Sequence, residues 1–292
     1  MSKSAGAQFL KPPPADFSAG QFFAGIYWHQ KWEVFQGVFT PGRNAVERLC
    51  AQAGLPEDLS GKRVLDIGAW NGCFSFECER RGASEVVAYG LENPDEAGFN
   101  RLKSLLASKV AYVQGSVYDL APEKLGTFDV ILFFGVLYHL RYPLLAIDRL
   151  RTVSKGSVFI ETHVVNNRLL LRKPLDLFAR LAGLVLLFRN TPIWRQYREY
   201  ELHREDRSNW FGPNPQAVVE SFQSAGFEIA QVGSWNDRAA FKAEATKLPD
   251  RLLSGTYEGL YSSNARLAGI PVHHTRLFED APPPIAVPPK RE

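Results

Sequence analysis

The stretch VLDIGAWNGCFSF, residues 64–76, most constrains what this chain can fold into. A short apolar run ends in two glycines four residues apart, and a helical pattern starts directly after them. Gly68 and Gly72 lack a Cβ, so the backbone there can turn sharply and approach a ligand. The following helix presents unpaired N–H groups to the same space. The unit then repeats. RVLDI (63–67), EVVAYGL (85–91), VAYVQ (110–114), FDVILFF (128–134) and SVFIETHVV (157–165) read as strands, separated by helical patterns at 73–81, at 94–107 and around Leu144, Ile147 and Leu150. Continuous apolar runs mark strands covered on both faces. Strands alternating with helices specify an α/β fold with a doubly wound, mostly parallel sheet. A helix at 216–225 and strands near 227–232 and 239–243, joined by GSWND, end that sheet in a hairpin.

Composition bounds the rest. A chain of 292 residues with 45% apolar and 12% aromatic content can bury a substantial core. Its 34 Lys and Arg against 31 Asp and Glu leave a net charge of +3, which excludes a global electrostatic case for nucleic acid. Cys50, Cys73 and Cys78 form no CxxC pair and the opening residues lack the apolar core of a secretory leader, so a reducing, cytoplasmic setting is expected. No run approaches the roughly 20 apolar residues of a membrane span. The expected organisation is a flexible N-terminus (1–21), an aromatic segment and helix (22–60), a core (61–165), a basic and apolar helical cap (166–214), the last helix and hairpin (215–245), a C-terminal extension (246–279) and a disordered Pro-rich tail (280–292).

In sheets of this kind ligands sit beyond the carboxyl ends of the strands, where strand order reverses. The first turn reads Gly68, Ala69, Trp70, Asn71, Gly72, which is not the GxGxxG of a dinucleotide site. An alternative ligand without a pyrophosphate is S-adenosyl-L-methionine, the cofactor that the following resemblance implies. The order VLDIGAWNGCFSFECERRGASEVVA, then GSVYDL, then FDVILFFGVLYHLRYPLLAIDRL, resembles class I methyltransferases, whose Rossmann-like fold has a seven-stranded, mostly parallel sheet. More narrowly it is similar to the branch related to the bacterial enzymes that finish 5-oxyacetyl uridine at the tRNA wobble position. GVFTPG and NWFGPN also resemble that branch, and the likeness runs over about 26–243.

The resemblance implies that Asp66, Gly68, Ala69, Trp70, Asn71 and Gly72 form the cofactor turn. Ser116, Val117 and Tyr118 would border the adenine, and Phe134 and Gly135 would close the pocket beneath the sulfonium. Trp70 stands where the wider class has glycine. Gly90 stands where the class ends its second strand with an acid that binds the ribose hydroxyls, so Glu92 is expected to substitute if the chain bulges there. The ends of strands four and five bring Tyr138 and His139, Glu161 and His163 together as candidate catalytic residues. A histidine near its ordinary pKa of about 6.5 can accept a proton at neutral pH, so His139 or His163 is the expected base. No spacing signature supports a metal site. Tyr27, His29, Arg195 and Trp210 are candidate substrate contacts.

Between Val165 and Arg204 eight Arg and Lys face three acids. Within that interval LDLFARLAGLVLLF (175–188) reads as a helix apolar nearly all round, which must find cover. It can roof the sheet's carboxyl edge, lie in a membrane interface, or combine with IWRQYREY to hold RNA phosphates and bases. The expected function is methyl transfer from S-adenosyl-L-methionine to an oxygen of a hydrophobic or aromatic small molecule. The alternatives are a tRNA wobble-uridine methyl- or carboxymethyltransferase, and a cofactor-binding or scaffold protein without catalysis. Oligomeric state is not legible in the sequence.

Overall fold

Strand β1 (Arg63–Ile67) buries four of its five residues because it runs through the middle of a sheet with helices on both faces. In the computed structural model, which describes residues 10–165, 191–203 and 206–247, β1 pairs in parallel with β2 (Glu85–Gly90) on one side and β4 (Phe128–Phe134) on the other. Parallel β3 (Ala111–Gln114) lies beyond β2, and parallel β5 (Ser154–His163) beyond β4. The antiparallel hairpin of β6 (Phe227–Trp235) and β7 (Arg238–Ala245) completes the sheet, β7 pairing with β5. The order across it is β6-β7-β5-β4-β1-β2-β3. Chain direction in that order switches between β1 and β4, so the loops leaving their carboxyl ends diverge and open a crevice.

Helices α1 (Val46–Ala53), α2 (Cys73–Arg80) and α3 (Phe99–Leu106) bury Cys50, Phe76 and Leu102 on one face. Helices α4 (Pro143–Val153) and α5 (Pro215–Ser224) bury Ile147, Leu150 and Phe222 on the other. Helix α3 starts later than its sequence pattern because Asn93 Oδ1 accepts from the Asp95 N–H, and Gly98, at φ +79°, forms the N-cap. The three cysteines are free and buried, and burial pushes the thiols of Cys50 and Cys73 up to about 12 and that of Cys78 well above its usual range. Such thiols stay protonated and act as core side chains.

The aromatic segment ahead of α1 completes the first core face. Trp32 stacks on Phe76, which stacks on Phe99, and the Trp32 indole donates to Glu77 Oε2 over 2.9 Å. Glu77 also pairs with Arg80 and Arg81, so its buried charge is compensated. The segment forms two short pairings, Gln30–Lys31 with Asn44–Ala45 and Glu33–Phe35 with Val38–Phe39. Within the expected flexible N-terminus, Phe17 lies against Phe22, Phe23 and Phe35, and Ala19–Phe23 is helical. Of the expected cap, the described part is a short antiparallel pair, Trp194–Gln196 with Phe211–Pro213, joined to the sheet where the Val165 N–H donates to the Pro213 carbonyl. The helix expected at 175–188 lies outside the described residues, as do the C-terminal extension beyond 247 and the Pro-rich tail. Among the described residues no helix is long and apolar enough to cross a membrane.

Candidate active site

The turn after β1 takes its shape from its glycines. Gly68 and Gly72 sit at φ +74° and +80°, and a Cβ on Gly68 would lie 2.6 Å from Val136 Cγ2. Gly72 is the N-cap of α2, wedged against the rings of Phe99 and Phe76. Gly68 remains exposed to solvent, so the crevice is open at this point. Trp70 also adopts a left-handed backbone, φ +48°, which accounts for glycine in the wider class. Its indole is stacked edge-on with His29 at 4.6 Å, and the indole N–H donates to the Tyr27 carbonyl. Tyr27, largely exposed, stacks on the other side of His29.

Asn71 has a different role from the one expected. Its fully buried side chain donates to the carbonyls of Tyr27 and Ala97 and accepts from the His29 N–H, stapling the N-terminal segment to the turn. Only its backbone is left for a ligand. Asp66, at the end of β1, is buried and accepts from Ser75 Oγ over 2.5 Å. Burial pushes its carboxyl up to about 7, with the Ser75 hydrogen bonds opposing.

Glu92, two residues beyond Gly90, packs against that glycine. Strand β2 ends at Gly90, and Glu92 folds back so that its Oε2 lies 2.7 Å from where a Gly90 Cβ would be. Tyr112 crowds the same space, its hydroxyl donating to the Glu92 carbonyl. A side chain on residue 90 would collide with both groups, so glycine is what admits the carboxylate. Glu92 Oε2 is buried without a hydrogen-bond partner. A buried carboxylate oxygen left unpaired is costly, and it marks a place where a donor is missing. Ser116 caps the single turn at Val117–Asp119 by accepting from the Tyr118 N–H, and the Tyr118 hydroxyl accepts from the Tyr142 N–H. Phe134 packs edge-on to Phe74, and Gly135, at φ +72°, donates its N–H to the Glu161 carbonyl.

The four expected catalytic side chains converge, yet only one is free for chemistry. Both carboxylate oxygens of Glu161 are held by Arg238, at 2.5 and 2.7 Å, and that guanidinium covers the Tyr138 ring at 4.8 Å. Glu161 and Tyr138 are thus parts of an ion-pair cluster with Arg238, in which each Glu161 oxygen accepts one guanidinium N–H. His163 is buried too: its Nε2 is 2.8 Å from the Tyr197 hydroxyl, and Asp237 lies 3.3 Å from Nδ1 without hydrogen-bond geometry. Burial lowers its pKa while Asp237 opposes, so the ring is a neutral core group. His139 is the exception. It sits in the short turn Leu137–His139 after β4, partly exposed, with Nδ1 2.8 Å from Ser208 Oγ. Burial lowers its pKa, Asp206 raises it, and the balance is downward. Burial lowers the pKa of His29 as well, a proton on His139 would lower it further, and Asp206 opposes, so both rings lie below the ordinary histidine value and can accept a proton at neutral pH.

Of the expected substrate contacts, Tyr27 and His29 line the mouth. The Trp210 backbone N–H donates to the carbonyl of Tyr138, next to His139 in the chain, and the Trp210 ring is covered by Arg141 at 4.8 Å. Arg195 is committed to Glu201 at 2.7 Å. An open apolar trough of about 390 Å³ is lined by Arg141, Tyr142, Leu144, Leu145, Trp194 and Phe211, the first of them two residues beyond His139 in the chain. Arg238, Asp206 and Ser208 are the residues sequence reasoning missed. They lie 67 to 99 positions from His139, and no spacing rule links them to it. Among the described residues no cluster of His, Cys, Asp and Glu is arranged to hold a metal.

Comparisons with known proteins agree on the fold. The N-terminal domain of EvdMO1, solved in the presence of SAH and D-fucose, superposes with a TM-score of 0.57 at 17% identity, over 78% of this chain and 94% of that one. A tRNA U34 carboxymethyltransferase of Campylobacter hominis is 34% identical over 111 residues, which are 37% of this chain and 39% of that protein. A ubiquinone biosynthesis O-methyltransferase of Vibrio parahaemolyticus is 31% identical over 136 residues, 45% of this chain and 57% of the relative. The chain therefore spans between two fifths and three fifths of these curated relatives. The family model described as a methyltransferase domain matches residues 42–232, most of the chain and all of the crevice from Asp66 to Phe211, and the chain belongs to the methyltransferase domain family.

Proposed function

We propose that this protein transfers a methyl group from S-adenosyl-L-methionine to an oxygen of a hydrophobic or aromatic small molecule. The observation that carries the reading is Glu92: a buried carboxylate oxygen without a partner, 2.7 Å from where a Cβ on Gly90 would lie and close to the Gly68–Gly72 turn. A ribose offers two hydroxyl donors, and a hydrogen bond to a charged acceptor contributes about 1.5–3 kcal/mol. Asp66 and the Gly68–Gly72 turn would hold the amino-acid end, Ser116, Val117 and Tyr118 the adenine, and Phe134 and Gly135 the floor beneath the sulfonium. When bound, the cofactor supplies an electrophilic methyl carbon whose leaving group departs as a neutral thioether. The residues then have two tasks, to align the acceptor and to take its proton. His139 takes the proton, and Tyr27, His29 and Trp210 border the acceptor. The apolar trough bordered by Arg141 favours a hydrophobic acceptor.

Isothermal titration with S-adenosyl-L-methionine tests the reading, with Glu92→Gln as its control. Wild-type protein should bind, and the variant should bind about tenfold or more weakly, since one charged acceptor is lost. Absence of heat with wild-type protein at millimolar ligand rejects the reading and leaves a scaffold without catalysis. The names of the tRNA U34 carboxymethyltransferase relatives support a second reading, in which the acceptor is a wobble uridine. Retention of tRNA that weakens steeply with salt would favour it, because phosphate contacts release counterions.

A further inference from the structure

Asp206 and Ser208 lie in the loop that precedes the strand Phe211–Pro213, with no task in the scheme above. We propose that they are a positioning pair that holds His139 with its proton on Nδ1 and its lone pair on Nε2, the atom left to face the acceptor. The inference deepens the methyl-transfer reading and rests on it for its catalytic meaning.

Ser208 Oγ lies 2.5 Å from Asp206 Oδ1 and 2.8 Å from His139 Nδ1. A hydroxyl has one proton to give. Asp206 can only accept: burial raises its carboxyl pKa, but the hydrogen bonds from the Ser208 hydroxyl and N–H outweigh burial and hold it below its ordinary value. The hydroxyl proton therefore goes to Asp206, and Oγ must accept from His139, which places the ring proton on Nδ1. The Asx turn, Asp206 Oδ1 accepting from the Ser208 N–H over 2.8 Å, and the Asn209 amide donating to the Asp206 carbonyl fix this geometry locally. Nε2 makes no hydrogen bond among the described residues.

The consequence is chemical. The acceptor O–H bond breaks, its proton passing to Nε2 and its electron pair to the forming O–CH3 bond. The C–S pair leaves with sulfur, and the positive charge lost there reappears on the His139 ring. That imidazolium is stabilised through Nδ1–H, Ser208 and the Asp206 carboxylate. The groups that face His139 are Asp206, which favours the charged ring, and Arg238, His203 and His29, which oppose it. Removing the Asp206 charge therefore lowers the pKa of His139.

The test uses the full chain labelled with ¹⁵N-histidine and read by long-range ¹H–¹⁵N correlation spectra without ligand, the His139 signals being assigned by their loss in His139→Gln. We expect a pyrrole-type Nδ1 and a pyridine-type Nε2. Ser208→Ala should move the ring toward the Nε2–H form, Ser208→Thr should keep the Nδ1–H form, and Asp206→Asn should lower the ring pKa. Both positions are outside the core, so these variants should fold. In turnover assays Asp206→Asn should reduce kcat about ten- to a hundredfold with cofactor affinity unchanged, and should move the acid limb of the profile to lower pH. A wild-type ring protonated on Nε2, or a tautomer indifferent to Ser208→Ala, overturns the proposal even if methyl transfer is intact. An Nδ1–H ring in a chain that binds no S-adenosyl-L-methionine would instead remove the function and leave the tautomer assignment standing.

Discussion

Asp66 illustrates how a single residue couples the site to the stability of the whole. Its carboxyl is pushed up to about 7 by burial, against about 4 for an exposed aspartate. The folded chain thus binds a proton that the unfolded chain has released between those values. The stabilisation is complete below pH 4 and is lost as pH rises through 7, by on the order of 4 kcal/mol. Asp66→Asn removes the titration, so chemical unfolding from pH 5 to pH 8.5 should show the variant gaining on the wild type as pH rises; parallel curves would show that the buried carboxylate is already neutralised by other means. The same substitution should weaken cofactor binding if Asp66 receives the ammonium end. His139→Ala should lower turnover by about 10²–10⁴-fold at constant cofactor affinity, the range for removing a general base.

Two elements meet at Glu161 and Arg238, one on β5 and the other on β7. Their bidentate pair joins the parallel part of the sheet to its antiparallel hairpin beneath the reacting end. Removing one partner of a buried pair leaves the other charge uncompensated, so Arg238→Ala should cost about 3–5 kcal/mol in urea unfolding. Glu161→Gln combined with Arg238→Met should cost much less, and equal losses would mean that packing rather than charge governs the junction. These elements also show what a sequence makes visible. The ends of β1, β4 and β5 were legible because local patterns define them, and so His139, Glu161 and His163 could be placed together at one edge. Their separate roles were not legible, since they depend on Arg238, Tyr197 and Ser208, which reach them from distant parts of the chain.

At the scale of the molecule, the N-terminal segment is what individualises the fold. The family match begins at residue 42, yet Phe23, Trp28, Trp32 and Phe35 are buried in the core that covers α2 and α3. The same segment carries Tyr27 and His29 to the crevice mouth, held there by Asn71. A chain starting at residue 42 should therefore expose Phe76 and Phe99 and aggregate, and Trp32→Ala in the intact chain should cost about 3–5 kcal/mol by thermal or urea unfolding. Monomeric, cofactor-binding protein from the truncated chain would refute that dependence. The amino-acid sequence by itself determined the alternation of strand and helix, the terminal hairpin, the glycine turn and the edge where chemistry belongs, because each rests on local periodicity and backbone sterics. Only the tertiary structure decided that Glu92 fills the space left by Gly90, that the Trp70 indole packs on His29, and that of two histidines one is buried and the other partly exposed. Those outcomes depend on which distant side chains share a volume and a proton, and neither property is written in the spacing of residues along a chain.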